Sequence, residues 1–568
     1  MEYKRVVEIY EALSGTAKGL EKTKILSGFL DEIKKGNKFE IIYLLQGRIS
    51  ADYDKQELGI SQQLAIKAIS TASGLKDSEI IKDFKELGDL GKVSEKAMKT
   101  KKQSALFSKK LTTDKVLDNL QKLATFEGKG TVDKKIGLIV ELLHSASSVE
   151  AKYIIRTVVG DMRVGVGSGL LRDAIVDSCF KPKDLSEKRD FGEKVQQAYN
   201  KATDFAEVFE KACKNQLSKI SLSPGKPVKV MLFPKAKDVE DAFRIVGKPA
   251  AFEYKYDGFR MMINKFEKNG KDEIEIFTRR LENVTKQFPD AVKYARENIN
   301  AKSFIIDCEA VGYNPKTKKY QQFQAISQRI KRKYDIDKLE RELPIELNIF
   351  DIIFYNGENL IDIEFEKRRK IIERIVEEKK FKIVLAAQII TSDASEAEKF
   401  YERALEEGQE GLMAKSLSAP YKPGARVGYA VKLKPEDNDF DLVITGAEYG
   451  TGKRAGWLTS FDVSCRDEKS DGLLEIGKVS TGLKEKKEEG LSFEEMTHKL
   501  KKLVVEEHGR SIFVRPEIVV TVQYQNIQKS PTYSSGYALR FPRIKNLRPD
   551  RGKDDIATLK EIEKESKK

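Results

Sequence analysis

The sequence predicts a multidomain protein with three parts: an all-α N-terminal region, an α+β middle region with antiparallel sheets, and a small C-terminal β-barrel. Three observations predict it. The chain has 568 residues, too many for one hydrophobic core. Up to about residue 225 the apolar residues recur three and four apart, whereas beyond Pro227 short β-rich runs alternate with helical ones. Near Pro435-Glu436-Asp437-Asn438 the chain turns polar, and mostly strands follow. The expected boundaries are 1–225, 226–436 and 437–568.

In the first region, residues 6–13 and 184–217 exemplify the helical pattern. The second stretch is charged and nearly free of glycine, so it reads as one long helix. Leu222-Ser223-Pro224-Gly225-Lys226-Pro227 reads as a linker. The middle region offers strands over 252–266, 274–277, 304–313, 347–355, 411–415 and 429–434, with helices over 366–379 and 394–407 between them. In the last region, strands are expected over 441–449, 457–465, 473–479 and 518–525. One helix begins at the capping box Ser492-x-x-Glu495. A barrel of that size with one helix fits an OB-fold. Residues 561–568 read as a solvated tail.

Hydrophobic residues make up 40% of the chain. No apolar run approaches the roughly 18 residues of a membrane span, and nothing resembles a signal peptide, so a cytoplasmic protein is expected. Cys179, Cys213, Cys308 and Cys465 are far apart and form no CxxC pair, which argues against a disulfide framework or a zinc site. With three histidines, metal chemistry should rest on oxygen ligands. The net charge of +14, from 104 basic and 90 acidic residues, suits a polyanionic partner, although chains rich in Lys and Glu also occur in thermophiles for other reasons.

The chemistry concentrates in the middle region. Lys255 leaves an aromatic strand, Glu253-Tyr254-Lys255, and enters the turn Tyr256-Asp257-Gly258, where glycine permits a tight bend. A lysine must lose its proton to attack phosphorus, and neighbouring positive charge or a metal promotes that. Arg260, Arg279 and Arg280 follow nearby. Taken alone, the same residues also fit a solvated surface turn. Glu309, in Ile305-Ile306-Asp307-Cys308-Glu309, and Glu410, in Gln409-Glu410-Gly411-Leu412, are carboxylates amid apolar strand residues. That placement is costly without a cation, so both are candidates to hold Mg²⁺; structural salt bridges are the other reading. In Tyr429-Ala430-Val431-Lys432-Leu433-Lys434, strand alternation places Val431 and Leu433 toward a core and both lysines on the opposite face.

These runs, in this order, resemble the covalent nucleotidyltransferases, and among them the ATP-dependent DNA ligases of archaea and eukaryotes. The resemblance covers nearly the whole chain. It implies a middle domain of the nucleotidyltransferase fold, with ATP-grasp-like antiparallel sheets, and an OB-fold after it. EYKYDGFR is similar to the adenylation motif, which implies that Lys255 accepts AMP, Glu253 reads the adenine amino group and Arg260 touches the ribose. FTRRLENVT places Arg279 near either the nucleotide or the DNA 5′ phosphate. IDCEAVGY places Glu309 near ribose and metal. NIFDIIFYNG implies that Phe350 stacks on adenine. EGLMAKS brings Glu410 and Lys415, and GARVGYAVKLKPED brings Arg426, Lys432 and Lys434 to phosphates. LRFPR implies that Arg540 or Arg543 orients the pyrophosphate leaving group. The run 450–457 is similar to another segment of the ligase OB domain and is no P-loop, since Ala447 stands where the first glycine would be and Arg454 follows Lys453. The run 161–173 is similar to part of the ligases' helical DNA-binding domain. Ala430 stands where many members carry tryptophan, and Phe233 where a small residue is usual.

The implied cofactors are ATP and Mg²⁺, and the implied substrate is nicked double-stranded DNA. A sliding clamp is an expected further partner, and a monomer, nucleoid-associated in a prokaryote, is the expected state. The implied work is nick sealing in DNA replication, recombination and repair, with the segment 435–438 as hinge for the last domain. An RNA ligase, an mRNA capping enzyme or a non-catalytic DNA-binding scaffold are the rival readings; the long helical region and the LRFPR run speak against the first two, and the complete set of polar groups against the third.

Overall fold

In the computed structural model, twelve α-helices among the described residues, from Tyr3–Ser14 to Phe205–Cys213, build the N-terminal region. The structure describes the chain except residues 55–57, 101–109, 127–129, 322, 331, 333–334, 436–437, 451–453, 455, 486–489 and 567–568. Two of the four expected hinge residues, 436 and 437, therefore lie outside the described residues, as do residues 451–453 and 455 of the run 450–457. The chain packs as two compact units, Met1–Lys434 and Pro435–Lys568.

The helices share one apolar core that includes Tyr3, Tyr10, Phe29, Ile154 and Phe209. The single long helix expected over 184–217 is two helices, Leu185–Ala202 and Phe205–Cys213. Thr203 takes a left-handed conformation at φ 50°. Asp204 then caps the second helix, its Oδ1 accepting from Ala206 N at 2.9 Å. An Asx cap ends one helical pattern and starts the next without a glycine to announce it. The glycines of 165–167 lead into the helix Ser168–Cys179.

The middle region contains two sheets. One has five strands in the order Lys235–Ala236, Ala430–Leu433, Gly411–Ser416, Ala250–Lys255 and Gln388–Thr391. The other runs Lys271–Thr278, Phe259–Lys268, Phe304–Tyr313, Ile345–Tyr355 and Glu358–Asn359, with Tyr320–Gln321 and Ile383–Leu385 joined off this path. The strand expected over 252–266 is thus two strands in two sheets, split at Tyr256-Asp257-Gly258. A Cβ on Gly258 would stand 2.4 Å from the Ala310 carbonyl oxygen, so only glycine lets the chain pass close to the neighbouring strand as it changes sheet.

Alternation along the first sheet decides what faces what. Phe252, Tyr254, Leu412, Ala414, Val431 and Leu433 join Val239, Phe243, Ala397 and Phe400 in one core, the last four coming from the helices Val239–Val246 and Ala394–Glu406. Full burial of a side chain such as Phe252 contributes about 1.5–3 kcal/mol. The alternate positions Gln388, Glu253, Lys255, Lys415 and Lys432 fall on the opposite face.

In the second unit, the strand Asn438–Tyr449 is central. It pairs with Leu458–Arg466 on one side, and on the other with Val519–Tyr524 along its first half and Ser511–Val514 along its second. The helix Phe493–Lys501 buries Phe493, Met496 and Leu500 in this core, and Ser492 Oγ caps it by accepting from Glu495 N at 3.2 Å. The expected tail is instead partly folded. Thr558 and Glu561 form a capping box for the helix Leu559–Glu565, and its Ile562 is fully buried.

Candidate active site

Lys255 ends its strand at the point where the chain leaves one sheet for the other. Its backbone pairs with Gly411. Gly411 has φ 134°, and a Cβ there would stand 2.2 Å from the Leu433 carbonyl oxygen. This tight crossing fixes the preceding residue, Glu410, beside Lys255. Glu410 N donates to Lys255 O at 2.8 Å, and Lys255 Nζ donates to Glu410 Oε2 at 2.5 Å. Lys434 Nζ closes on the same carboxylate oxygen. Burial alone would raise the Glu410 carboxyl, but Lys255 and Lys434 together pull it down to about 2.

More positive charge surrounds this triad. The Lys432 ammonium is disfavoured first by its own burial and then by Lys255, Arg279 and Arg426, with Glu410 opposing. Lys434 is lowered in the same way, by burial and by Lys255. Arg279 and Arg426 are exposed. Glu309 contributes the other carboxylate. Dehydration pushes it up to about 8, against the pull of Lys255 and Arg260 and with the help of Glu410. Cations that repel one another around a single anchored carboxylate make a seat for an anion.

A second cluster lies on the same sheet face. Glu253 is buried and accepts from Gln388 Nε2 at 2.8 Å. Lys415 Nζ meets its other oxygen at 2.5 Å, and Arg369 Nη1 stands 3.7 Å from Oε1. Lys415 also lies over the rings of Phe350, at 5.0 Å, and Phe365, at 4.5 Å. Glu253, Lys415 and Phe350 are therefore neighbours, although they come from different strands of two sheets.

Arg260 faces a third group. Its Nε donates to Asp307 Oδ1 at 2.6 Å, and its Nη2 reaches the other oxygen of that carboxylate and Tyr421 Oη at 2.7 Å. Sequence reasoning assigned no role to Asp307, Gln388, Arg369 or Tyr421. Only Asp307 left a signal: it is two residues before Glu309, hence on the same strand face. Arg540 and Arg543 belong to the second unit. The Arg540 guanidinium lies 5.2 Å from the centre of the Phe541 ring, which is 71% exposed, and Arg543 starts the exposed end of the strand Arg543–Leu547.

A lysine tied to one carboxylate, with lysines and arginines around it where two mainly antiparallel sheets meet, suits a polyphosphate ligand. Comparison with known families sharpens this class. The family model for the ATP dependent DNA ligase domain matches residues 230–434, that for the DNA ligase N terminus residues 2–176, and that for the ATP dependent DNA ligase C terminal region residues 454–551. The DNA ligase of Nanoarchaeum equitans (strain Kin4-M) is 44% identical over 568 residues, covering 99% of this chain and 98% of that one. The DNA ligase of Thermococcus fumicolans is 41% identical over 567 residues, again covering 99% and 98%. A solved structure named Pmar-Lig_PreS3 has the same fold, with a TM-score of 0.54 and 16% identity over 95% of this chain and 99% of that one. The chain belongs to the ATP-dependent DNA ligase family; it is an enzyme that uses ATP and acts on DNA.

Proposed function

We propose that Lys255 is the nucleophile that carries AMP during nick sealing. The observation that carries this reading is the double tie of Lys255 to Glu410 inside a ring of cations. Self-adenylation forms a bond from Lys255 Nζ to the α-phosphorus of ATP and breaks the bond from that phosphorus to the bridging oxygen, so pyrophosphate leaves with the electron pair. Glu410 holds Nζ in place; a carboxyl held near 2 is a poor proton store at neutral pH, so its part is orientation. Lys432, Lys434, Arg279 and Arg426 neutralise the phosphate oxygens as charge shifts toward the leaving group. AMP then moves to the 5′ phosphate at a nick, and the 3′ hydroxyl displaces it.

Glu253 suits the adenine amino group, Phe350 the adenine face, and Arg260, held flat by Asp307, the ribose. Arg540 or Arg543 serves the leaving pyrophosphate, from a second unit of OB-fold type that takes turns over the site, with 435–438 as hinge. The domain limits 1–225, 226–436 and 437–568 fit this division of labour. The helical region grips the DNA backbone without reading sequence.

Glu309 and Glu410 fit a Mg²⁺ ion. Among the described residues no three His, Cys, Asp or Glu side chains gather into a complete protein cage, and Mg²⁺ characteristically takes one or two carboxylates and completes its shell with phosphate oxygens and water. When bound, it would supply charge neutralisation at the triphosphate. A monomer that meets a sliding clamp in the cytoplasm, serving replication, recombination and repair, completes the reading.

The test is incubation with α-labelled ATP and Mg²⁺. Label becomes covalent on the wild-type protein and is absent from Lys255→Ala; label retained on that variant overturns the assignment.

A further inference from the structure

Two of the four thiols meet. Cys179 is the last residue of the helix Ser168–Cys179 and Cys213 the last of Phe205–Cys213. They are 34 positions apart, yet their Sγ atoms stand 2.8 Å from each other, less than 1 Å beyond the bonded separation of about 2.05 Å. The meeting is built into the core rather than a loop: Leu171, Ala174 and Ile175 of one helix and Val208, Phe209 and Ala212 of the other belong to the same apolar cluster, and both cysteines pack against it. Both are partly exposed, whereas Cys308 and Cys465 are buried. Wide spacing in sequence argues against a disulfide framework; helix packing nevertheless brings this one pair of free thiols together.

We propose that Cys179 and Cys213 are a redox modification site that a peroxide-class oxidant converts into an intramolecular disulfide joining the C-terminal ends of the two helices. The two sulfurs share one hydrogen bond in which either thiol can donate, and Lys34 favours a thiolate on both. Either sulfur can lead, and both orders end in the same disulfide; with Cys213 leading, the electrons balance through a sulfenic acid. The Cys213 thiolate attacks one peroxide oxygen, the O–O bond breaks, and the departing hydroxide takes a proton to leave as water. Cys213 is then a sulfenic acid. Cys179 sulfur attacks the Cys213 sulfur, the S–O bond breaks, and the second hydroxide leaves as water with the Cys179 proton. Each sulfur gives up one electron, and the peroxide receives both.

The full-length wild-type protein is treated with equimolar hydrogen peroxide, denatured, alkylated with N-ethylmaleimide without reduction, digested and weighed by mass spectrometry. The expected result is two alkylated cysteines, Cys308 and Cys465, and one cross-linked peptide containing Cys179 and Cys213 that dithiothreitol separates. Cys213→Ala, treated in the same way, forms no internal cross-link. Four alkylated cysteines, separate sulfinic acids on Cys179 and Cys213, or a cross-link to another partner in the wild type would each overturn the proposal.

Discussion

Lys255 and Glu410 are joined twice: Glu410 N donates to Lys255 O at 2.8 Å, and Lys255 Nζ donates to Glu410 Oε2 at 2.5 Å. The main-chain bond fixes the side-chain bond, because Gly411 leaves the backbone no room to move away from Leu433. Glu410→Gln keeps the main-chain bond and the shape but loses the charge that gathers Lys255 and Lys434. Self-adenylation should slow on the order of 10²-fold while the fold is retained. A labelling rate within twofold of wild type would remove Glu410 from the machinery.

Arg260, its side chain 16% exposed, packs against the buried Asp307 and Tyr421. Breaking such a pair from one side leaves a dehydrated charge, which costs about 3–5 kcal/mol. Asp307→Asn should therefore lower stability by that order in chemical denaturation. Tyr421→Phe removes one neutral partner and should cost about 1 kcal/mol. Equal losses in the two variants would contradict the view that the carboxylate holds Arg260.

Much of this site was legible because strand alternation fixes faces. Val431 and Leu433 are buried while Lys432 and Lys434 face the site, as the period of two requires. The split of the run 252–266 was not legible, since Tyr256-Asp257-Gly258 interrupts the alternation no more than a bulge would. The helix break at Thr203 was hidden because a threonine, not a glycine, takes the left-handed turn. The partners of Glu253 were hidden for a different reason. Gln388 lies 135 positions away, and only the antiparallel pairing of Gln388–Thr391 with Ala250–Lys255 sets them side by side.

Glu253 accepts from Gln388 and pairs with Lys415 on its two oxygens. Glu253→Gln replaces one acceptor oxygen with an N–H aimed at donors, so one of the two held donors loses its acceptor, and the proposed contact to the adenine amino group is weakened. The KM for ATP in self-adenylation should rise on the order of tenfold or more, while Lys255 still becomes labelled at saturating ATP. An unchanged KM would show that Glu253 serves the fold and not the nucleotide.

Acid stability of the helical region should report on Asp89. Asp89 caps the helix Leu90–Lys99, accepting from Gly91 N at 2.9 Å, and Arg156 Nη2 donates to its other oxygen at 2.6 Å. Burial works to raise its carboxyl, but the bond and charge of Arg156 hold it below its ordinary value. A carboxyl lowered by folding adds stability above its unfolded pKa of about 3.9, and that stability is lost as pH falls through the folded value. In Arg156→Met Asp89 loses its hydrogen-bonded cation and keeps only the more distant Arg163, whose Nη1 stands 3.6 Å from Oδ2, beside the helix N–H groups. Its carboxyl is then held down less, and acid removes less of its contribution. The variant should be less stable than wild type by about 3–5 kcal/mol at pH 7, and the difference should shrink below about pH 4. Urea unfolding of both proteins, followed by circular dichroism at pH 7 and pH 3, measures it; a difference that stays constant with pH would mean that Asp89 does not titrate through this pair.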